Sequence, residues 1–187
     1  DGVTTVKQLI SEGIDCQAQT PGYIKVAHHP NKHKELIAQA EIQRRLFNYD
    51  VEILSQREVR EHYMDDKNAF GAIRYQDGFG LNPLKLAWGY QKMARSAGAK
   101  IHTASPVIDW HEENNRHILI TPTAKVRAKK VVIATNGYTP KNFHPLINNR
   151  TLPVLSQIIV TEPLTDVQLS ACNFLTSNVV MDTRALK

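Results

Sequence analysis

Residues 127–140 read RAKKVVIATNGYTP, and this stretch decides which fold the sequence favours. Its apolar run, residues 131–134, does not alternate with polar residues, as is typical of a strand covered on both faces of a sheet. Glycine at position 137 lets the backbone come close to a ligand. Because ligands bind beyond the carboxyl ends of strands in open α/β sheets, we expect a buried parallel strand followed by a binding turn. An ordinary core strand that ends in a turn is the alternative, and the stretch alone favours that alternative.

The other elements follow from apolar spacing and from turn and cap residues. We expect helices over 6–12, over 32–48 with Asn31 as cap, over 56–63 with a capping box at Ser55, from Pro83 with Asn82 as cap, and from Thr165. We expect strands over 23–27, 69–75, 100–104, 107–110, 117–120 and 152–161, with short strands from Val126 and Val179, and residues 51–54 form a short apolar stretch. Asn114 and Asn115 provide a turn, so the strands before residue 131 form a β-meander. The expected fold class is α+β or α/β.

Composition limits the function classes that remain open. Of the 187 residues, 42% are hydrophobic and 22% are charged, which is typical of a globular protein, and no apolar run is long enough to cross a bilayer. The net charge is +5, but the basic residues are scattered without interleaved aromatic residues. We therefore expect neither a membrane protein nor a nucleic-acid-binding protein.

Cysteine and histidine usage indicates the compartment and argues against a metal. Cys16 and Cys172 are too few for a disulfide framework, so a reducing compartment and a cytoplasmic location are expected. His28, His29 and His33 have no carboxylate or cysteine at a supporting spacing. A solvated loop that enters a helix explains these histidines better than a metal site.

Both ends of the sequence have the pattern of an interrupted element. The chain opens at Asp1 without a methionine, and residues 6–13 have the pattern of the last turns of a helix. Residues 178–187 have the pattern of a strand that has just begun. We therefore expect an internal fragment of a longer protein.

Five segments stand in an order that resembles the FAD-dependent D-amino-acid oxidase superfamily, in the branch that holds glycine and sarcosine oxidases. They are RYQDG at 74–78, PLKLA at 83–87, ASPV at 104–107, VVIATNGYTP at 131–140 and TEPL at 161–164. The sequence is most similar to the γ-glutamylputrescine oxidoreductase group of amine oxidases. The resemblance covers nearly the whole chain, and it depends on the joint order of motifs that are individually not very specific.

The resemblance implies two domains. It implies that residues 1–79 and 151–187 are parts of a mixed-sheet substrate domain, and that residues 80–150 are part of a Rossmann-like FAD domain with a β-meander crossover. It also implies that Val107 lies against the adenine and that the segment Ala134, Thr135, Asn136 and Gly137 passes close to the dinucleotide. A strand edge offers N–H and C=O groups to a base, so this assignment is physically reasonable.

The sequence also departs from the family pattern. The G-x-G-x-x-G motif that holds the flavin pyrophosphate at a helix N-terminus is absent from these 187 residues, since Gly78 and Gly80 lack the third glycine. Asn82 stands where close relatives often carry histidine, which puts the role of that position in doubt. We therefore expect that this chain alone does not retain FAD.

Function follows from the resemblance rather than from a catalytic motif. The resemblance implies a flavoenzyme that oxidises an amine or amino acid by hydride transfer to flavin. No catalytic acid or base can be named from the residues. Arg74 and Tyr75 are candidates for a substrate cavity, because arginine pairs bidentately with a carboxylate, and a surface arginine beside a core tyrosine is the alternative. A non-catalytic ligand- or partner-binding module is the alternative function, and exposed apolar faces would favour self-association.

Overall fold

The computed structural model describes residues 2–150, 152, 154 and 157–184. The chain divides into two compact units, one formed by Asp1–Ala99 with Glu162–Lys187 and the other by Lys100–Thr161. We call them the first and the second unit. The predicted substrate and FAD domains have other boundaries, and their functional assignment stays a prediction.

The elements are α1 (Gly2–Ser11), β1 (Tyr23–Val26), α2 (Pro30–Phe47), β2 (Glu52–Leu54), α3 (Gln56–His62), β3 (Ala72–Tyr75), α4 (Pro83–Ser96), β4 (Asp109–Glu113), β5 (Arg116–Ile120), β6 (Lys125–Ala128), a 3₁₀ turn (Asn136–Tyr138), α5 (Asp166–Ala171) and β7 (Val179–Asp182). Helices and strands alternate in the first unit, and a three-stranded meander lies in the second. The expected mixture of helices with a mixed sheet is confirmed. Among the described helices, none is long and apolar enough to cross a membrane.

The first unit is built on a four-stranded mixed sheet in the order β2-β3-β1-β7. The pairs β2–β3 and β1–β3 are antiparallel, whereas β1 and β7 run parallel with Val26 opposite Asp182. A parallel pair requires a crossover connection, and here the chain between β1 and β7 includes the whole second unit. The last described strand therefore lies beside the first strand.

Each face of this sheet is covered by a separate apolar cluster. One cluster contains Ile24, Val26, Leu54, Val59, Ala69 and Ala72, and the other contains Ala27, Leu36, Ala40, Val51, Ile73 and Tyr75. Neighbouring residues of a strand point to opposite faces, so Ala72 belongs to one cluster and Ile73 to the other. Helix α3 contributes Val59 to the first cluster, and α2 contributes Leu36 to the second.

The helix starts mostly follow the predicted caps. The predicted capping box at Ser55 forms, and the Asn82 side chain accepts a hydrogen bond from the Lys85 N–H at 3.1 Å. The predicted Asn31 cap of α2 is wrong, because this helix begins at Pro30 and its cap is His29. Proline suits a first helical position, since its fixed φ matches the helix.

The second unit contains the antiparallel meander β4-β5-β6. Asn114 and Asn115 both adopt positive φ, 50° and 59°, as a two-residue hairpin turn requires. The predicted meander is thus confirmed, with its first strand at Asp109–Glu113 rather than 107–110. The predicted strand over 100–104 is wrong, because these residues form no strand and Ala104 has a φ of 50°.

The buried parallel strand predicted over 131–134 is also wrong. These residues form no strand, and Val132 is 87% exposed. A strand buried on both faces needs a neighbouring strand on each edge and a layer above and below it. No described strand pairs with this run, so Val131 and Ile133 are only half-buried and Val132 is exposed.

The long strand predicted over 152–161 is not found among the described residues of that range. Ile158 and Ile159 are 86% and 93% exposed and belong to no strand. Positions 153, 155 and 156 of the prediction lie outside the described residues. The short helix after Thr165 and the strand from Val179 both form as predicted.

Candidate functional site

A cavity of about 390 Å³ lies in the first unit, on the face of the sheet that carries the α3 cluster. Val26 and Val180, from the parallel strands β1 and β7, form its floor, and Met64 and Phe174 contribute further apolar surface. Its volume is within the range of small-molecule sites. In its lining, Phe174 is 52% exposed whereas Val26 is 5% exposed, so the cavity wall ranges from buried to solvent-accessible.

Backbone pairing between the segments that follow α3 and α5 closes one end of this cavity. Met64 and Phe174 form an antiparallel bridge, with hydrogen bonds of 2.9 Å from the Asp65 N–H to the Asn173 oxygen and 3.0 Å from the Leu175 N–H to the Tyr63 oxygen. These segments are more than a hundred residues apart in sequence. The cavity is therefore a product of tertiary pairing rather than of a local motif.

Asp182, at the end of β7, is the centre of the charged part of the cavity. Its carboxylate accepts a hydrogen bond from the Arg184 N–H at 2.7 Å and forms an ion pair with the Arg184 guanidinium. Burial acts to raise the pKa of Asp182, but the hydrogen bonds and the charge of Arg184, with a smaller contribution from His28, together hold that pKa below its usual value. Asp182 is therefore an anion at neutral pH.

His28 connects β1 to the same end of β7. Its Nδ1 lies 2.8 Å from the Thr183 hydroxyl oxygen and 3.5 Å from an Asp182 carboxylate oxygen. The His28 N–H also donates to the Thr183 hydroxyl at 3.2 Å. The two strands thus hold the imidazole, the hydroxyl and the carboxylate together at the cavity.

Asp66 is the second carboxylate of the cavity and is half-buried. Its Oδ1 accepts the Asn68 N–H at 2.8 Å, whereas its Oδ2 makes no hydrogen bond within the described part of the chain. Two carboxylates and the guanidinium of Arg184 leave the lining with one net negative charge when His28 is neutral. The cavity combines apolar surface with an excess of anionic groups.

The two residues predicted for a substrate cavity lie elsewhere. Arg74 is half-buried beside Gly22, and its Nη1 donates to Glu52 at 3.1 Å, while its buried Nε has no partner within the described residues. Tyr75 is only 7% exposed and stacks on Tyr23 with ring centroids 4.6 Å apart. Neither lines the cavity described here, and a role of either in substrate binding stays a prediction.

Tyr75 belongs to a group of tyrosines on the opposite face of the sheet. The Gln39 amide donates to the Tyr75 hydroxyl at 3.3 Å, and the Tyr49 hydroxyl donates to the Asp77 carboxylate. Burial first, and this hydrogen bond second, raise the pKa of Tyr49 well above its usual value. The group fastens the end of α2 to the turn after β3, which is a structural task.

The residues predicted to contact FAD all lie in the second unit. Val107 is half-buried, and its N–H and C=O make no hydrogen bond within the described residues, although the next N–H, of Ile108, donates to Ile120 at 2.8 Å. Val107 lines a cleft of about 360 Å³ together with residues 108–110, residues 140–143 and Pro145. A free main-chain donor and acceptor could pair with the hydrogen-bonding edge of an adenine, and the contact of Val107 with FAD stays a prediction.

The other predicted contact segment forms the 3₁₀ turn. Ala134, Asn136 and Gly137 are exposed, and Thr135 is half-buried with its hydroxyl 2.6 Å from that of Thr139. Asn136 has a φ of 48°. These four residues do not line the cleft that contains Val107, and their contact with a dinucleotide stays a prediction.

Sequence reasoning missed the cavity residues His28, Asp66, Asp182 and Arg184. The only local signal was a β-rich run at 179–181 followed by Asp182 and, after one intervening residue, by Arg184. The pairing of β1 with β7, which creates the cavity, has no signal in either segment alone.

Comparison with known proteins gives the class. The family model of the DAO family, described as FAD dependent oxidoreductase, matches residues 1–185, so this chain belongs to that family of flavoproteins, whose cofactor is FAD. The resemblance inferred from the five segments is thereby confirmed.

Individual relatives agree with the family. The protein named "Probable oxidoreductase OrdL" of Haemophilus influenzae is 31% identical over 76% of this chain and 34% of its own length, and γ-glutamylputrescine oxidoreductase of Escherichia coli is 29% identical over 82% and 35%. The crystal structure of glycine oxidase from Geobacillus kaustophilus superposes with a TM-score of 0.64 at 24% identity, over 72% of this chain and 37% of that one, and shows the same fold. The chain spans about a third of the length of the curated relatives it matches.

Proposed function

We propose that this chain forms part of an FAD-dependent enzyme that oxidises an amine or an amino acid, with the cavity of the first unit as its substrate site. The observation that carries the proposal is the pairing of apolar surface with an excess of carboxylates in one cavity of a chain from this family. An ammonium group binds well beside such carboxylates, while an alkyl chain binds on the valine floor. The γ-glutamylputrescine substrate named for the E. coli relative supports an amine.

The residues divide the work by position. Asp66 and Asp182 bind and orient the ammonium group, and Val26 and Val180 exclude water from the carbon chain beside it. Val107 offers its main-chain groups to the adenosine end of FAD, in the cleft of the second unit. Bound FAD supplies the hydride acceptor, and the protein supplies binding and orientation.

The chain alone is expected to be inactive, because it does not retain FAD. The G-x-G-x-x-G turn that gives backbone donors to the pyrophosphate is absent from this sequence. Each lost hydrogen bond to a charged group costs about 1.5–3 kcal/mol, so two or three weaken binding by roughly a hundredfold or more. Gel filtration of the chain with added FAD tests this directly, since flavin that elutes with the protein in equimolar amount would contradict it.

The activity itself is tested on the complete coding sequence that contains these 187 residues. The purified product is loaded with FAD, kept free of oxygen and mixed with primary amines or amino acids in turn. We expect the flavin absorbance to bleach with an amine. A product that binds FAD but bleaches with neither class of compound would overturn the proposed reaction.

A second candidate function is a non-catalytic ligand-binding module. It is favoured by one observation, namely that the described lining of the cavity belongs entirely to the first unit. Ligand binding is then expected to raise the melting temperature of the chain in the absence of flavin. Under either function, we also propose a cytoplasmic location and self-association of the chain through its exposed apolar segments.

A further inference from the structure

We propose that Asn136, in the 3₁₀ turn of the second unit, is a site of spontaneous deamidation, promoted by the hydroxyl of Thr139. Asparagine is among the thermolabile residues, and its deamidation in water replaces a neutral amide with a carboxylate. The reaction itself does not depend on the proposed function. Only its consequence for FAD, which is argued after the chemistry, rests on that function.

The first step is the residue that follows the asparagine. The main-chain nitrogen of the next residue attacks the side chain, and glycine permits the closest approach because it has no Cβ. Asn136 is followed by Gly137, and no other asparagine of the sequence precedes a glycine. Asn142 and Asn149 are also exposed and have a similar φ, 60° and 56° against 48° for Asn136, but they precede phenylalanine and arginine.

The second step is that both reacting groups are accessible and uncommitted. Asn136 and Gly137 are exposed. Neither the side-chain amide of Asn136 nor the N–H of Gly137 makes a hydrogen bond to another described residue. The Asn178 amide, in contrast, is held by three main-chain carbonyl oxygens at 3.2 to 3.4 Å. The Asn136 side chain therefore reaches the Gly137 nitrogen without losing a hydrogen bond.

The third step is that the turn stabilises the attacking group. Loss of the Gly137 proton leaves a peptide anion whose charge is shared with the carbonyl oxygen of Asn136. That oxygen accepts the Thr139 hydroxyl at 2.7 Å and the Thr139 N–H at 3.4 Å. The Thr135 hydroxyl oxygen lies 2.6 Å from that of Thr139. Donors that already point at the atom where charge develops lower the barrier, so Thr139 promotes the attack.

The atoms of the reaction balance with water as the co-reactant. The Gly137 nitrogen gives its proton to the solvent and forms a bond to Cγ of Asn136. The bond between Cγ and Nδ2 then breaks, and Nδ2 takes a proton from the solvent and leaves as ammonia, so that a succinimide ring remains. Addition of water to either carbonyl of the ring opens it to aspartate or isoaspartate. In sum, the side-chain amide and water become a carboxylate and an ammonium ion.

The new carboxylate changes the charge of a turn that is proposed to approach the dinucleotide. The family resemblance implies that residues 134–137 pass close to FAD, whose pyrophosphate is anionic. Like charges brought together at a binding site oppose binding. Protein in which Asn136 has reacted is therefore expected to hold FAD more weakly, if the proposed function is correct.

Peptide mapping by mass spectrometry on the unaltered 187-residue chain, kept warm at mildly alkaline pH, tests the site. Trypsin separates residues 131–141 from residues 142–150, because each segment ends in a basic residue and follows one. We expect the first peptide to gain the mass difference between a carboxyl group and an amide, and the second, with Asn142 and Asn149, to stay unchanged. Equal deamidation of the two peptides would overturn the inference.

Variants test the two structural causes separately. Gly137→Ala adds the missing Cβ, and we expect loss of the deamidated peptide. Thr139→Val removes the hydroxyl donor and is expected to slow deamidation about tenfold, as one hydrogen bond to a charged group predicts. Thr139→Ser keeps a hydroxyl and is the matched control, with a rate near that of the unaltered chain. An unchanged rate in Gly137→Ala would contradict the role of the glycine, and an unchanged or faster rate in Thr139→Val would contradict that of Thr139.

The consequence for FAD is tested with Asn136→Asp in the product of the complete coding sequence, since this variant carries the new charge from the start. We expect it to bind FAD about tenfold more weakly or worse. Asn115→Asp adds the same charge at the exposed hairpin turn, outside the segments predicted to contact FAD, and is expected to bind FAD like the unaltered product. Equal FAD affinity of Asn136→Asp and the unaltered product would overturn the consequence. Failure of the proposed reaction shows instead in the bleaching experiment, and it leaves the peptide map as expected.

Discussion

The side-chain amide of Asn178 lies 3.2 Å from the carbonyl oxygen of Gly22, and this contact joins two segments 156 residues apart in sequence. The same amide nitrogen also lies 3.2 Å from the Thr20 oxygen. Asn178 therefore satisfies carbonyls of the loop that leads into β1 and holds β7 in register beside it.

The first prediction is that Asn178→Ala loosens β7. Removal of the amide leaves partly buried carbonyl oxygens without donors, which costs about 1–3 kcal/mol of unfolding free energy. Faster hydrogen exchange over Val179–Asp182, with a lower melting temperature, is the measurement. The control is Asn31→Ala, because Asn31 is exposed and does not cap α2. A large loss of stability in Asn31→Ala would show that Asn31, rather than His29, caps α2.

The second prediction concerns Gly71, which has a φ of 124°. A Cβ at this position would overlap the His33 ring, lying 2.6 Å from Nδ1. Gly13 has a similar φ of 113°, but a Cβ there would meet nothing within 4 Å. Both alanine variants are strained, and we expect Gly71→Ala to be the less stable by a further 1–3 kcal/mol or so, because the overlap adds to the strain. Denaturant titrations measure the loss of unfolding free energy in each variant. Equal losses would show that the His33 ring moves away from the new Cβ at no cost.

The third prediction is that the protein loses stability in acid as Asp182 becomes protonated. The pKa of Asp182 is held below its ordinary value of 3.8, so the folded state prefers the carboxylate. Its contribution is complete above that ordinary value and is lost as the pH falls through the lowered pKa of the folded state. Asp182→Asn is therefore expected to lower the melting temperature near neutral pH and to flatten its fall in acid.

The control for this acid effect is Asp50→Asn. Asp50 forms an exposed ion pair with Arg44 at 2.7 Å, and such pairs contribute little to stability. Its melting curve is expected to follow that of the unaltered chain from neutral pH to acid. If the melting temperatures of Asp182→Asn and of the unaltered chain fell in parallel as the pH was lowered, Asp182 would not be the source of the acid effect.

The fourth prediction is that the chain self-associates through its exposed apolar segments. Val132 is 87% exposed and Ile159 is 93% exposed, so each offers apolar surface to another copy. Val132→Lys is expected to shift sedimentation towards the monomer. Thr123→Lys adds the same charge at an exposed position of the second unit without removing apolar surface. If both lysine variants dissociate equally, charge repulsion rather than apolar contact explains the result.

The features that could be predicted from the sequence are those that local chemistry determines. Asn82 with Pro83 starts a helix, and Asn114 with Asn115 turns a hairpin, because each depends on the conformational preferences of a few adjacent residues. The apolar run at 131–134 carried an equally clear pattern, but its burial depends on neighbouring strands that the described chain does not provide. The candidate cavity was not predictable for a related reason, since Asp66 meets Asp182 only after β7 pairs with β1.

The parallel pairing of β1 with β7 also has a consequence for the order in which the protein forms on the ribosome. Tyr23–Val26 leaves the exit tunnel long before Val179–Asp182 is synthesised, because paired residues of the two strands are 156 positions apart in sequence, which takes roughly 8–30 s at ordinary elongation rates. During that interval the β7-facing edge of β1 is a nascent, unpaired edge, while the complete meander of the second unit is free to fold. A chaperone that recognises extended apolar backbone would therefore find its binding site at β1, and its release would await the arrival of β7.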